Sequence, residues 1–374
     1  MPLLAVAAVS ARMLAEAAAC DGYDVAALDC FGDVDTRRVS RCCSDIGVGG
    51  SALRIDPGRT LAALREAATQ AGAIGWIAGS GLEAEPDLIE QGAALLPLLG
   101  TAPAALRRLR TPRSFFARLD ALGIAHPETC FDAPPASEGW LLKDGGGHGG
   151  WHVRRLADDG DPAPAATGRY FQREARGTPM SGTFIADRRE ARLLGFNRLL
   201  VRPFGARPFV YGGAIGPLPL PPRPARTVLD AVQALTREFA IAGLASLDFL
   251  LDGDAVSVLE LNARPSASMA LYGAGWMRAH VRACTEGELP AVDDMRAGVA
   301  GHEIMYARRP LHLSTAAAAA LEAAQHCHDL PAAGTRFAVG DPVCSHDARA
   351  ADVAQLDTLL TTRRETLWRI LEAS

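Results

Sequence analysis

The 374-residue sequence predicts an α/β protein. An N-terminal parallel α/β domain is followed by an α+β middle and a small β/helical C-terminal region. Three observations predict this. Short apolar runs alternate with alanine-rich helical stretches over the first hundred residues, the pattern of a parallel sheet. Glycine-linked alternating runs replace that pattern between Trp140 and Gly195. A composition of 49% hydrophobic and 22% charged residues supplies a core for two or three domains and excludes a largely disordered chain. The net charge of −5 lacks the broad basic field of a general nucleic-acid binder. No apolar run reaches the roughly 20 residues that span a bilayer, so no membrane partner is expected.

Taken in order, Leu3–Val9 reads as a buried strand rather than a signal peptide, because no basic segment precedes it. Ala11–Cys20 reads as a helix, Asp24–Asp29 as a second strand, Thr60–Ala71 as a helix and Gly75–Ala78 as a third strand. The turns after these strands carry Ser10, Asp29 to Asp35 and Gly79-Ser80-Gly81, where parallel sheets place binding sites. Thr111-Pro112 starts a helix over Arg113–Leu122 that Gly123 stops. Trp140–Lys143 and Trp151–Leu156 read as strands. Arg202 to Arg226, rich in proline and glycine, reads as an extended loop-heavy stretch before a helix over Thr227–Ile241. A last helix is expected near Val353–Leu371. Eight cysteines without a CxxC predict reduced thiols in a cytoplasm. His326-Cys327-His328 has no second ligand pair at zinc spacing and reads as structural.

Two stretches carry chemistry. Lys143-Asp144 leads into Gly145-Gly146-Gly147-His148-Gly149-Gly150, a GxGxxG match that runs into a second strand instead of a helix. That context disfavours a dinucleotide fold and favours a flap whose bare amides cover phosphates, with Lys143 as a point charge. A plain hairpin tip is the bland alternative. The second stretch is a hairpin of Leu244–Leu251 and Val256–Ser266 around a three-residue turn, Asp252-Gly253-Asp254. Alternation puts Glu260, Asn262 and Arg264 on one face. This register places Ser246 opposite Glu260 and Asp248 diagonal to it, with Leu247, Phe249, Leu259 and Leu261 toward the core. Two carboxylates and an amide oxygen suit Mg²⁺, and Arg264 suits a phosphoryl charge. A wet edge hairpin is the alternative. Arg198, Arg202 and Arg207, with Tyr211, are candidates for binding a substrate carboxylate, against a solvated loop.

A flap lysine with a glycine loop, a later acidic residue and then Glu-Leu-Asn-Ala-Arg-Pro-Ser resembles the ATP-grasp superfamily over roughly residues 100–300. The resemblance implies an N-terminal domain over 1–100, an ATP-grasp domain over 101–300 with a lid about 138–190, and a C-terminal region over 301–374. It also implies ATP and Mg²⁺ as cofactors. Lys143 would contact the α/β-phosphates under the flap, and Tyr170–Gly177, with Gln172, Arg173 and Glu174, would be the hinge that receives adenine. Asp248, Glu260 and Asn262 would hold magnesium, and Arg264 would sit near the γ-phosphate. Two features depart from the pattern. Thr178-Pro179-Met180 replaces a ribose-binding acid, and Arg110 and Arg113 are the nearest counterparts of an early lysine without aligning to it. The implied activity is a carboxylate–amine ligase with small-molecule acid and amine substrates, often dimeric. Met180–Phe184, Gly195–Asn197 and the tail around Gly334-Thr335 and Gly340–Cys344 resemble carboligases that join an amino acid such as glutamate to an amine in cofactor assembly. A nucleotide-binding regulator without turnover and an ATP-grasp kinase stand as alternatives.

Overall fold

The computed structural model describes residues 1–48, 51–158, 168–291 and 298–373. In the N-terminal part, β1 (Leu3–Ala8), β2 (Asp24–Asp29) and β3 (Cys42–Asp45) precede a short antiparallel pair, β4 (Gly47–Val48) and β5 (Ser51–Ile55). With β6 (Ala73–Ala78) the first three form a parallel sheet in the order β3-β2-β1-β6. Every residue of β1 is buried, because helices cover both faces. Leu3, Ala5 and Ala7 join the core of α3 (Pro57–Thr69) and α4 (Pro86–Leu95). Leu4, Val6 and Ala8 pack with Leu14, Ala15 and Ala18 of α1 (Arg12–Cys20). The remaining N-terminal helix, α2 (Val34–Val39), follows the loop after β2. The expected strands and helices are all present here.

Two helices lead onward, α5 (Pro103–Arg110) and α6 (Pro112–Leu122), the second closed by Gly123 as expected. A small sheet follows in the order β7-β10-β8-β9, from β7 (Thr129–Cys130), β8 (Trp140–Asp144), β9 (Arg154–Arg155) and β10 (Arg169–Arg173). It has its own apolar cluster of Trp140, Leu142, Leu156 and Phe171. Residues 159–167 of the expected lid lie outside the described residues. The strand expected over Trp151–Leu156 shrinks to two paired residues. The Trp151 ring packs against Phe204 and Tyr306 instead, which draws its backbone off the sheet.

The centre of the molecule is an antiparallel sheet in the order β15-β14-β11-β12-β13-β16-β20-β18. Its strands are β11 (Thr178–Asp187), β12 (Ala191–Phe204), β13 (Arg207–Leu218), β14 (Ala242–Asp252), β15 (Ala255–Asn262), β16 (Val299–Tyr306), β18 (Cys327–His328) and β20 (Pro342–Ala350). The pair β17 (Leu311–His312) and β19 (Arg336–Phe337) stands apart. The loop expected over 202–226 is therefore mostly strand and helix. Pro222 and Pro224 sit in the first turn of α7 (Pro222–Phe239), where a missing N–H leaves nothing unpaired. The expected C-terminal region begins where β16 pairs with β13, so its strands extend the central sheet. Helices α8 (Trp276–Thr285), α9 (Thr315–Ala323) and α10 (Val353–Glu372) complete the chain. One core cluster runs from Leu3 and Trp76 through Phe115 and Phe116 to Phe184, Leu247 and Phe249, tying the N-terminal sheet to the central one. Among the described residues no helix is long and apolar enough to cross a membrane, and all eight cysteines are free thiols.

Candidate active site

The metal-type cluster is built by the hairpin of β14 and β15, but not in the expected register. Asp252 pairs with Ala255 across a two-residue turn, Gly253-Asp254, in which Gly253 takes φ +58°. That turn alone would set Asp248 opposite Leu259. A β-bulge follows instead: Phe249 pairs with Val258, and Asp248 with Glu260, leaving Leu259 as the extra residue. The inward parity of β15 switches there. Val256 and Val258 are core residues before the bulge, Leu261 and Ala263 after it. The expectation of Leu259 in the core is corrected, since it lines the cavity. Asp248 is directly opposite Glu260, not diagonal, and Ser246 faces Asn262.

The carboxylates of Asp248 and Glu260 meet over Asn262, whose Nδ2 donates to Asp248 Oδ2 at 3.1 Å and Glu260 Oε1 at 3.4 Å. Burial and the facing Glu260 raise the pKa of Asp248 above the usual carboxylate range. Burial pushes Glu260 the same way, but Arg110 and Lys143 reverse it and hold Glu260 below its ordinary value. Two facing carboxylates that resist joint ionisation are a fit for a divalent cation, which Asn262 would join by turning its amide oxygen rather than Nδ2 toward them. Asp248, Glu260 and Asn262 would hold it.

Lys143, at the end of β8, donates from Nζ to Gln172 Oε1 at 2.9 Å. Gln172 Nε2 donates in turn to Thr129 Oγ1 at 3.1 Å. The side chain of Gln172 is thus engaged by Lys143 and Thr129 while it borders the cavity. Burial lowers the Lys143 pKa against the pull of Glu260 and Asp248. Arg173 stacks on Trp140 and Glu174 accepts from Arg155 Nη2 at 2.7 Å, while both still border the cavity. The glycine flap is folded over the site. Arg110 Nη2 donates to Gly147 O at 2.9 Å, and Gly149 O accepts from Tyr211 N at 2.9 Å. Gly150 has φ +76°, and a Cβ there would fall 1.8 Å from Phe209 O, so only glycine lets the flap close this way. His148 and His152 line the same space, both with pKa lowered by burial.

Arg110 is the cation that the sequence reading left without a match. It lines the cavity at the end of α5, whereas Arg113 stacks on Phe131. Arg264 reaches across to the N-terminal part, with Nε 2.8 Å from Glu83 Oε1 and Nη2 3.3 Å from Asn262 Oδ1. Burial would raise the Glu83 pKa, yet Arg264 and Arg110 hold it down at about 2. No sequence signal marks Glu83.

One continuous cavity of about 810 Å³ joins these groups, a size typical of small-molecule sites. It runs from Lys143 and Gln172 past Asp248 and Glu260 to Ser10, Arg12, Asp33, His302 and Asp329. The expected binding loops after β1, β2 and β6 all reach it through Ser10, Asp33 and Ser80. The substrate-arginine expectation is corrected. Arg198 pairs with Asp357 at 3.3 Å and Arg202 with Glu303, on the α10 side of the sheet, and Arg207 lies outside the cavity lining. The odd-numbered residues Leu199 and Val201 face the cavity instead. Tyr211 does line it, with its hydroxyl 2.9 Å from His302 Nε2. Asn197, part of the finer resemblance, is a buried structural residue held by Thr183 and Tyr272.

Residues 113–268 match the family model of the ATP-grasp domain. No curated protein matches the sequence. Among solved structures, the L-amino acid ligase from Bacillus licheniformis is similar at 15% identity and TM-score 0.72, over 97% of this chain and 96% of that one. N5-carboxyaminoimidazole ribonucleotide synthetase from Thermotoga maritima gives 12% identity and TM-score 0.65, over 98% of each chain. The biotin carboxylase domain of 2-oxoglutarate carboxylase from Hydrogenobacter thermophilus, solved with MgADP, ADP and bicarbonate, gives 13% identity and TM-score 0.68, over 93% and 86%. These likenesses establish a shared fold.

Proposed function

We propose that the protein is an ATP- and Mg²⁺-dependent carboxylate–amine ligase that forms an amide through an acyl phosphate. The observation that carries this reading is the single cavity joining the Asp248–Glu260–Asn262 cluster, the folded flap and a far end with room for further substrates. A bound magnesium ion would supply charge neutralisation for the phosphate oxygens. Lys143 and Arg110 add fixed positive charge beside that cluster, and the flap excludes water above it. Arg264, pinned by Glu83, is oriented to stabilise negative charge developing at the transferred phosphoryl group. A substrate carboxylate oxygen attacks the γ-phosphorus, the bond to the β-phosphate breaks, and ADP leaves. The amine, having given up any ammonium proton, then attacks the acyl carbon through its free-base nitrogen. The C–O bond breaks, phosphate leaves with the bonding pair, and the nitrogen releases a proton to it. No side-chain nucleophile enters either step.

The test is magnesium-dependent phosphate release from ATP across a grid of acids and amines, with products identified by mass spectrometry. Release that requires one acid–amine pair and yields its amide supports the ligase. A stable phosphorylated acid or alcohol, with no amide from any pair, would replace it with a kinase.

A further inference from the structure

We infer that the amine substrate is recognised as an organic ammonium ion at the far end of the cavity, with the Asp33 carboxylate as its counter-ion. This rests on the ligase reading for the word substrate, but the binding site itself is argued from geometry.

Asp33 lies at the N-cap of α2, where an aspartate ordinarily accepts from the first helical amides, yet its side chain makes no capping bond. It retains 7% of its surface and lines the cavity. Its carboxyl neighbours are all satisfied. Asp29 accepts from the amides of Ala11 and Phe31 at 3.1 and 2.7 Å. Asp35 accepts from the amides of Asp329 and Leu330 at 2.8 and 3.0 Å. Asp329 takes Arg12 Nε at 3.0 Å and Ser10 Oγ at 3.1 Å, and Glu16 takes Arg12 Nη1 at 2.7 Å. Among the described residues no donor reaches the Asp33 carboxylate. A buried carboxyl of this kind is expensive to ionise without a partner, so it keeps a proton until a cation entering from the cavity pairs with it.

The charge balance fixes its sign. Arg12 sits among Glu16, Asp29, Asp33, Asp35 and Asp329 and is already taken by Glu16 and Asp329, with Asp35 at 4.0 Å, while Arg37 is turned onto Gly32 O at 2.8 Å. Burial, then Asp329, Asp29 and Asp35, push the Asp33 pKa up to about 8 despite Arg12, the mark of a site short of positive charge. A metal ion is the weaker candidate. Glu16, Asp35 and His328 do gather their ligand atoms within 4.8 Å, but Arg12 lies against Glu16 and Asp35, and His328 pairs with Asp347 at 3.5 Å. Met13, Ala17, Phe337 and Val343 line the same cavity, which suits an ammonium group on an apolar body.

The test titrates the full chain at pH 7 with n-butylamine, n-hexylamine and benzylamine, each against its alcohol, by calorimetry. At least one amine binds, its alcohol does not, and Asp33→Asn weakens the amine at least about tenfold, or roughly 1.4 kcal/mol. ADP affinity serves as the folding control, and Asp33→Glu, which keeps the charge, retains more amine affinity than Asp33→Asn. Equal binding to Asp33→Asn, equal binding of the alcohols, or no binding of any amine overturns the inference. Asp33-dependent binding without amide product upholds it and defeats the ligase reading. Amide formation with an unchanged amine KM in Asp33→Asn does the reverse.

Discussion

At the residue scale the site is a set of charges arranged to want a ligand. Asp248 and Glu260 face each other with only an amide between them. Glu260→Ala relieves the opposition to Asp248 but also removes the carboxylate that Arg110 and Lys143 hold ionised, so the protein should still fold and melt modestly lower than wild type. Its magnesium-dependent ATP turnover should fall by more than about a hundredfold, beyond the loss expected for an outer partner of a metal ligand. Thermal melting and phosphate release check both halves. Asp33 makes a pH prediction. Its carboxyl is raised from 3.8 to about 8 in the folded protein, so the native state holds a proton that the unfolded chain releases between those values. That group therefore lowers stability as pH rises from about 4 to 8. Asp33→Asn removes the effect, and its melting-temperature advantage over wild type should widen across that window. Several of these residues were legible from spacing alone, namely Lys143, Asp248, Glu260, Asn262 and Arg264. Arg110 and Glu83 were not assigned, because each acts through contacts with segments far apart in sequence, and Asp33 fell in an expected binding loop with nothing local to mark it as unpartnered.

At the element scale, alternation and turn chemistry predicted most strands and helices, and failed where tertiary packing decided. The proline-rich stretch near 202–226 looks like a loop, but its prolines fall at strand ends and in a helix's first turn. The arginines of β12 were read as cleft residues of a glycine- and proline-rich stretch, but they stand on a strand, and Arg198 and Arg202 point to α10. Whether an alternating strand shows its odd or even residues to a ligand depends on neighbours that the local sequence does not name. The flap gives the prediction proper to this scale. Gly150→Ala places a methyl against Phe209 O at φ +76°, which keeps the flap from seating. The KM for ATP should rise at least about tenfold, while the lid's own Trp140–Phe171 cluster stays folded. Steady-state kinetics at varied ATP and tryptophan fluorescence measure the two effects.

At the scale of the whole molecule, the cavity lies where the N-terminal sheet, the lid and the central sheet meet, and Arg264–Glu83 ties the first to the last. Glu83→Gln leaves a mostly buried guanidinium short of its counter-ion, at a cost of about 3 kcal/mol. Because Glu83 is held at about 2, the pair's contribution is complete above its ordinary value of 4.5 and fades as pH falls toward 2. Denaturant melts at pH 7 and pH 3 should show a larger gap between variant and wild type at the higher pH. The lid keeps an apolar cluster of its own and joins the shared core through Tyr170, which packs on Phe116.

The bulge at Leu259 has a consequence for anyone who would transplant this chemistry. The smallest portable unit is not the motif from Glu260 to Arg264 but the segment from Val258, because the extra residue sets which way the carboxylate points. Grafted onto a regular hairpin with the same two-residue turn, the same letters would read correctly and aim Glu260 into the oil.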